Sequence, residues 1–155
     1  KTGVLFAAAA QTGAKVGGGD TIMCEAFYQY GLALGNAFQI MDDALDYGAS
    51  DSQIGKDLGD DFSEMKITLP IILAWQDSSD KEREFWKRTL NTGEQSEGDF
   101  EKAQLILNKY SCIERSLDFA TAEVAKAANA ISVIQDSVLK DALIEAAEFS
   151  AFRDN

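Results

Sequence analysis

Histidine is absent from the 155 residues. That removes imidazole general bases, His-ligated zinc and the Ser-His-Asp triad together. Any chemistry must rest on carboxylates, lysine, arginine, hydroxyls, the backbone or a hard metal ion. Proline occurs once. With Ala, Leu, Glu and Lys frequent and no alternating strand pattern, the chain reads as all-α. There are two cysteines, Cys24 and Cys112, and they match no metal spacing. They are expected to stay reduced and to pack as small apolar groups. Basic residues are scarce: 14 Lys and Arg face 26 Asp and Glu, for a net charge of -12. Such a chain is a poor partner for a phosphate backbone, so no nucleic-acid ligand is expected. No run approaches the roughly 18 apolar residues of a membrane span. The opening KTGVLFAAAA is too short and soon too polar for a secretory signal, so a cytoplasmic setting is expected.

What is present is helical patterning. A first helix is expected from Lys1 to about Ala14, broken by Gly17, Gly18 and Gly19. Asp20 is a good N-cap for a long central helix. Its apolar positions Met23, Phe27, Tyr30, Leu34, Phe38, Met41 and Leu45 step by three and four, and Gly48 stops it after Tyr47. Gly31, Gly35 and several alanines suggest close packing on this helix. Residues 48–69 read as a polar loop. Pro70 then starts a helix to about Gln76, and Ser79 with Glu82 forms a capping-box spacing for the next. Positions 91–98 are a loop. A helix follows over about 99–110, Ser111 and Glu114 repeat the capping-box spacing, and two further helices complete the chain.

The segment FQIMDDALDY, Phe38 to Tyr47, breaks local rules. Asp is a weak helix former, and Asp42, Asp43 and Asp46 repel one another at i,i+3 and i,i+4 spacing near a helix C-terminus, where the dipole disfavours anions. The combined cost is on the order of 3 kcal/mol. Gln39, Asp42, Asp43 and Asp46 project from one face. A hard-cation site explains the cost: magnesium takes one or two carboxylates and completes its octahedron with water and phosphate oxygens. Taken alone in an acidic protein, however, DDxxD favours a solvated acidic face. Downstream lies GKDLGDDFSEMKITLP, Gly55 to Pro70, in which Lys56 and Lys66 flank Asp57, Asp60, Asp61 and Glu64. Two lysines on a glycine-containing loop after a carboxylate cluster suit a diphosphate. Surface lysines balancing nearby acids account for the loop about as well.

Together these segments resemble the trans-isoprenyl diphosphate synthases. FQIMDDALDY is similar to the family's second aspartate-rich motif with its preceding Phe-Gln. GKDLGDDFSEMKITLP resembles the following segment, in which Gly-Lys, an acidic stretch, a second Lys and Thr-Leu-Pro recur in order. Lys1-Thr2 resembles the family's Lys-Thr pair. The loop is closest to that of bacterial long-chain enzymes of the octaprenyl or decaprenyl type. The resemblance covers most of residues 1–76, and the remainder matches only in being helical.

The resemblance implies an all-α helical bundle around a central cavity, of which residues 1–155 form the C-terminal part of a single domain. It implies a prenyltransferase that joins an allylic diphosphate to isopentenyl diphosphate with Mg²⁺, in an enzyme that is a homodimer when intact. Asp42 and Asp46 would bind Mg²⁺, with Asp43 assisting. Lys1, Lys56 and Lys66 would contact diphosphate oxygens, and Lys1, Lys56 and Asp42 would carry the catalysis. Thr2 and Gln39 would hydrogen-bond near the substrates, and Phe38 would pack beside the homoallylic one.

One departure is large. The family's first aspartate-rich motif lies on an earlier helix, and this chain contains no second DDxxD. The chain is therefore expected to hold about half an active site and to be inactive alone. Three rivals stand against the enzyme. A terpene cyclase or squalene-type synthase would share the cluster but not the two-lysine loop. A non-catalytic subunit of a heteromeric synthase would show weakened motifs, and these are intact. A structural bundle with a solvated acidic face needs neither motif.

Overall fold

The computed structural model describes residues 1–48 and 58–151, and all regular secondary structure among them is helical. The elements are α1 (Thr2–Val16), α2 (Thr21–Leu45), α3 (Asp60–Ser63), α4 (Leu69–Asp77), α5 (Asp80–Trp86), a π-helical turn at Lys87–Asn91, α6 (Asp99–Lys109), α7 (Cys112–Ala130) and α8 (Val138–Ala151). The all-α expectation holds. Among the described residues no helix is long and apolar enough to cross a membrane. Backbone contacts group the chain into two compact units, Lys1–Met41 with Asp118–Asn155, and Asp42–Leu117.

In the first unit the expected stops and starts are met. Gly18 takes φ 82°, and Asp20 caps α2 by accepting the Met23 N–H at 2.8 Å. The buried stripe of α2 differs from the expected one. Ala26, Tyr30, Ala33 and Ala37 are buried, whereas Met23 is exposed and Phe27, Leu34 and Phe38 are only half-buried. The small residues win because they let a neighbouring helix approach closely. On the face toward α1 the same role falls to glycine: a Cβ added at Gly31 would sit 2.5 Å from the Phe6 carbonyl oxygen, and one at Gly35 would sit 2.7 Å from the Gly3 Cα. Gly31→Ala should therefore destabilise by about 1–3 kcal/mol, the usual range for overpacking. A thermal melt followed by circular dichroism checks this, and an unchanged midpoint would contradict the close approach. The core of this unit joins Tyr30, Ala33 and Ala37 to Ala120, Val124 and Ile131, with the Tyr30 hydroxyl donating to the Leu143 carbonyl at 2.8 Å.

The second unit is built on Phe62, Ile71, Phe85, Trp86, Leu107 and Ile113. The capping box is present: Glu82 Oε2 accepts the Ser79 N–H at 2.8 Å. Glu82 also takes Lys109 Nζ at 2.9 Å and Tyr110 Oη at 2.9 Å, so it ties α5 to the end of α6. These bonds, led by that of the Ser79 side chain, hold its carboxyl down at about 2. The second proposed box is not formed as expected. Ser111 takes a left-handed φ of 49° and closes the end of α6, with its N–H on the Asn108 carbonyl. Cys112 is buried, and burial pushes its thiol up to about 11; Cys24 is half-buried, and both are free thiols.

Candidate functional site

In the second unit the acid cluster is joined to the loop that follows it. α2 ends at Leu45, and Gly48 at φ 93° turns the chain out of the helix. Asp46, just beyond the helix, is only 2% exposed. Its backbone carbonyl accepts the Gly59 N–H at 3.0 Å, and its Oδ2 accepts the Asp61 N–H at 2.9 Å. That N–H belongs to the first turn of α3, where backbone donors have no partner within the helix and an anion is favoured. Asp46 thus caps α3 from 15 residues away. Gly59 reaches this position at φ 90°. Asp42 and Asp43 are half-buried.

α3 in turn positions a lysine. Lys66 Nζ lies 2.8 Å from Asp61 Oδ1 and 2.8 Å from Glu64 Oε2. The Lys66 N–H donates to the Asp61 carbonyl at 2.8 Å, across Met65 at φ 56°. The two carboxylates, Asp61 first, hold the Lys66 ammonium above the ordinary lysine range, so it is a permanent positive charge. The chain then enters α4 at Leu69, one residue before the expected start at Pro70, with Thr68 at the N-cap and Pro70 in the first turn. Beneath the cluster Tyr47 is buried, its ring 6.1 Å from that of Phe100, which also lies 5.9 Å from Phe62. Burial, with smaller contributions from the Asp46, Asp61 and Asp43 charges, raises the Tyr47 phenol well above its ordinary value.

In the first unit, Thr2 and Gln39 meet. Thr2 Oγ1 donates to Gln39 Oε1 at 2.8 Å across 37 residues. The glycine-mediated approach of α1 to α2 makes this contact possible. Phe38 stacks with Phe6 at a centroid separation of 5.8 Å, and Lys1 is exposed at the start of α1.

The sequence profile of the polyprenyl synthetase family matches residues 1–107. The chain belongs to the polyprenyl synthetase family. Octaprenyl diphosphate synthase of Haemophilus influenzae is 34% identical over 154 residues, covering 99% of this chain and 46% of that protein. The crystal structure of a decaprenyl diphosphate synthase from Rhodobacter capsulatus superposes with a TM-score of 0.93 at 39% identity, covering 100% of this chain and 48% of that one. A polyprenyl synthase from Caulobacter crescentus, solved with calcium and isoprenyl diphosphate, superposes with a TM-score of 0.86 at 42% identity, covering 95% and 45%. The chain spans about half the length of the relatives it matches. The likeness reaches well past residue 76, where the recognisable motifs end.

Within this polyprenyl synthetase chain, some expected site residues are brought together, Lys1 is placed at the start of α1 and Phe38, Asp42 and Asp43 along α2, and one is not described. Thr2 with Gln39 is a contact, and Asp46 is linked to Lys66 through Asp61. Lys56, with Asp57, lies outside the described residues. Asp61 and Glu64 were not singled out by sequence as site residues. Asp61 meets a partner 15 positions away and its lysine five positions away, and neither spacing carries a periodic signal. Among the described residues no three acidic side chains converge into a ready-made metal cage. The donor set still fits magnesium. It consists of hard oxygen ligands, and Mg²⁺ binds through one or two carboxylates together with water and phosphate rather than through a closed protein cage.

Proposed function

We propose that this chain supplies a diphosphate-binding half of a prenyltransferase that condenses an allylic diphosphate with isopentenyl diphosphate into a longer polyprenyl diphosphate. The observation that carries this reading is the link Asp46–Asp61–Lys66, which fixes an ammonium on the loop tied to an acid-rich helix end. The names of the similar proteins, and the calcium and isoprenyl diphosphate bound to the Caulobacter relative, support it.

In this reading Asp42 and Asp46, assisted by Asp43, would hold Mg²⁺, which would supply Lewis-acid neutralisation of the diphosphate. Asp42 and Asp43 are its more accessible ligands, and Asp46 also fastens the loop. Lys66, with Lys1 and Lys56, contacts diphosphate oxygens and stabilises the charge that develops as the allylic carbon–oxygen bond breaks. Because Asp61 and Glu64 keep Lys66 protonated, it acts as a fixed charge and not as a proton donor. Thr2 and Gln39 orient each other beside the substrates, and Phe38, held by Phe6, packs along the isopentenyl group. This chain offers no imidazole base, which fits loss of the proton to the released diphosphate after condensation. The intact enzyme is a cytoplasmic homodimer.

The test is a chimera joining this chain to the N-terminal half of the Haemophilus influenzae relative. With Mg²⁺, an allylic diphosphate and labelled isopentenyl diphosphate, label should enter a longer polyprenyl product, and chelation should abolish incorporation. A folded chimera that incorporates no label would contradict the reading.

A further inference from the structure

The segment that carries Asp61 and Lys66 cannot hold its own shape, because α3 is only 4 residues long. It is braced by the loop before α6. Gln95 is the one residue of positions 91–98 that is not exposed. Its Nε2 donates to the Phe62 carbonyl at 2.8 Å and to the Thr89 carbonyl at 3.1 Å. One acceptor lies in α3, where the Phe62 carbonyl also takes the Met65 N–H at 3.1 Å, and the other lies in the π-helical turn, so Gln95 ties the two together. The same loop rests on Met65. A Cβ added at Gly93, which has φ 73°, would stand 2.9 Å from Met65 Sδ. The loop itself is pinned: Arg88 grips Asp99 with two bonds of 2.9 and 2.7 Å and also donates to the Glu94 carbonyl, while Asp99 Oδ2 accepts the Ser96 N–H at 2.8 Å.

We infer that Gln95 is a positioning residue for diphosphate binding: by holding the Phe62 carbonyl it fixes the turn from which Asp61 presents Lys66. This rests on the proposed role of Lys66. Gln95 itself touches neither Lys66 nor the acid cluster, so its effect must pass through the segment 59–66. A merely structural clip would lower stability without coupling to Lys66.

The experiment uses the full chain, with magnesium pyrophosphate as the probe. Gln95→Met keeps the length of the side chain and removes the donor. Gln95→Glu keeps the shape and turns the donor into an acceptor. In each variant, amide exchange across residues 59–67 should quicken about tenfold, with α6 and α7 unchanged, as expected for one lost hydrogen bond in a locally opening segment. The pyrophosphate dissociation constant should rise about fivefold, and in a Lys66→Ala background Gln95→Met should add nothing further, the signature of two residues acting through one interaction. If Lys66→Ala weakens binding but Gln95→Met does not, or if the two losses simply add, the role of Gln95 is overturned while that of Lys66 stands. If Lys66→Ala leaves the affinity unchanged, or the parent chain shows no saturable binding, the role of Lys66 falls and this inference falls with it, whatever the exchange rates show.

Discussion

Asp42→Ala in the complete enzyme is expected to lower prenyl transfer by about 10²–10³-fold, the scale on which removing one electrostatic stabiliser of a developing charge is felt. The melting midpoint should move by no more than about 3 °C. Asp42 is half-buried and lies within a repulsive, helix-unfavourable cluster, so its removal relieves as well as costs. Asp46→Ala should behave differently although it belongs to the same motif. It removes a buried acceptor and leaves the Asp61 N–H unsatisfied, for a loss of about 2 kcal/mol and a fall in midpoint of roughly 4–8 °C. Steady-state kinetics paired with calorimetric melts separates the two. Near-parent turnover in Asp42→Ala would remove it from the metal site. An unchanged midpoint in Asp46→Ala would contradict its role in capping α3.

The second large effect concerns completeness. The purified 155-residue chain should form no prenyl product above background with Mg²⁺ and both diphosphates. The proposed reading has a magnesium-bridged diphosphate held from two acid clusters, and this chain contains one DDxxD. The first unit also leaves the apolar side chains of Leu5, Ile22, Val133, Val138 and Leu139 exposed, and the missing half is expected to cover part of them. Light scattering should accordingly give a mass above the 16.8 kDa of a single chain. An active monomer would contradict the half-site account and would leave the loop acids Asp57, Asp60 and Asp61 to replace the missing cluster.

Much of the helical frame could be read from local chemistry. The Asp20 cap, the stop at Gly48, the helix start near Pro70 and the Ser79–Glu82 box each depend on residues within four positions of one another. The helix α3 could not be read, because 4 residues show no periodicity and its N-terminal cap comes from Asp46 across a loop. The π-helical turn at Lys87–Asn91 was missed for a related reason: an i to i+5 bond such as Thr92 N–H to the Lys87 carbonyl leaves no mark on apolar spacing. On α2 the alanines and glycines signal close packing, and Ala26, Ala33 and Ala37 are buried, but the three-and-four spacing of the large apolar residues points to a different stripe. The site was legible in the same uneven way. Asp42, Asp43, Asp46, Lys66 and Lys1-Thr2 were suggested by motif. The Thr2–Gln39 contact spans 37 residues, and its geometry emerged only with α1 seated on Gly31 and Gly35. In the sequence, a hard-cation site explains the cost of crowding acids at the end of α2. The Asp61 N–H held by Asp46 accounts for part of it without one.

In the proposed reading the acid cluster and Lys66 form one site for magnesium and diphosphate together. Its most direct test is the thermal stability of the chain with Mg²⁺ alone, with pyrophosphate alone and with both. Ligand binding to the folded state raises stability by mass action, by about 2.7 kcal/mol at a hundredfold excess over the dissociation constant, or roughly 5–10 °C here. The account predicts a shift of that size only with both present, and only a small shift with either alone. Equal shifts for Mg²⁺ with and without pyrophosphate would contradict a shared site.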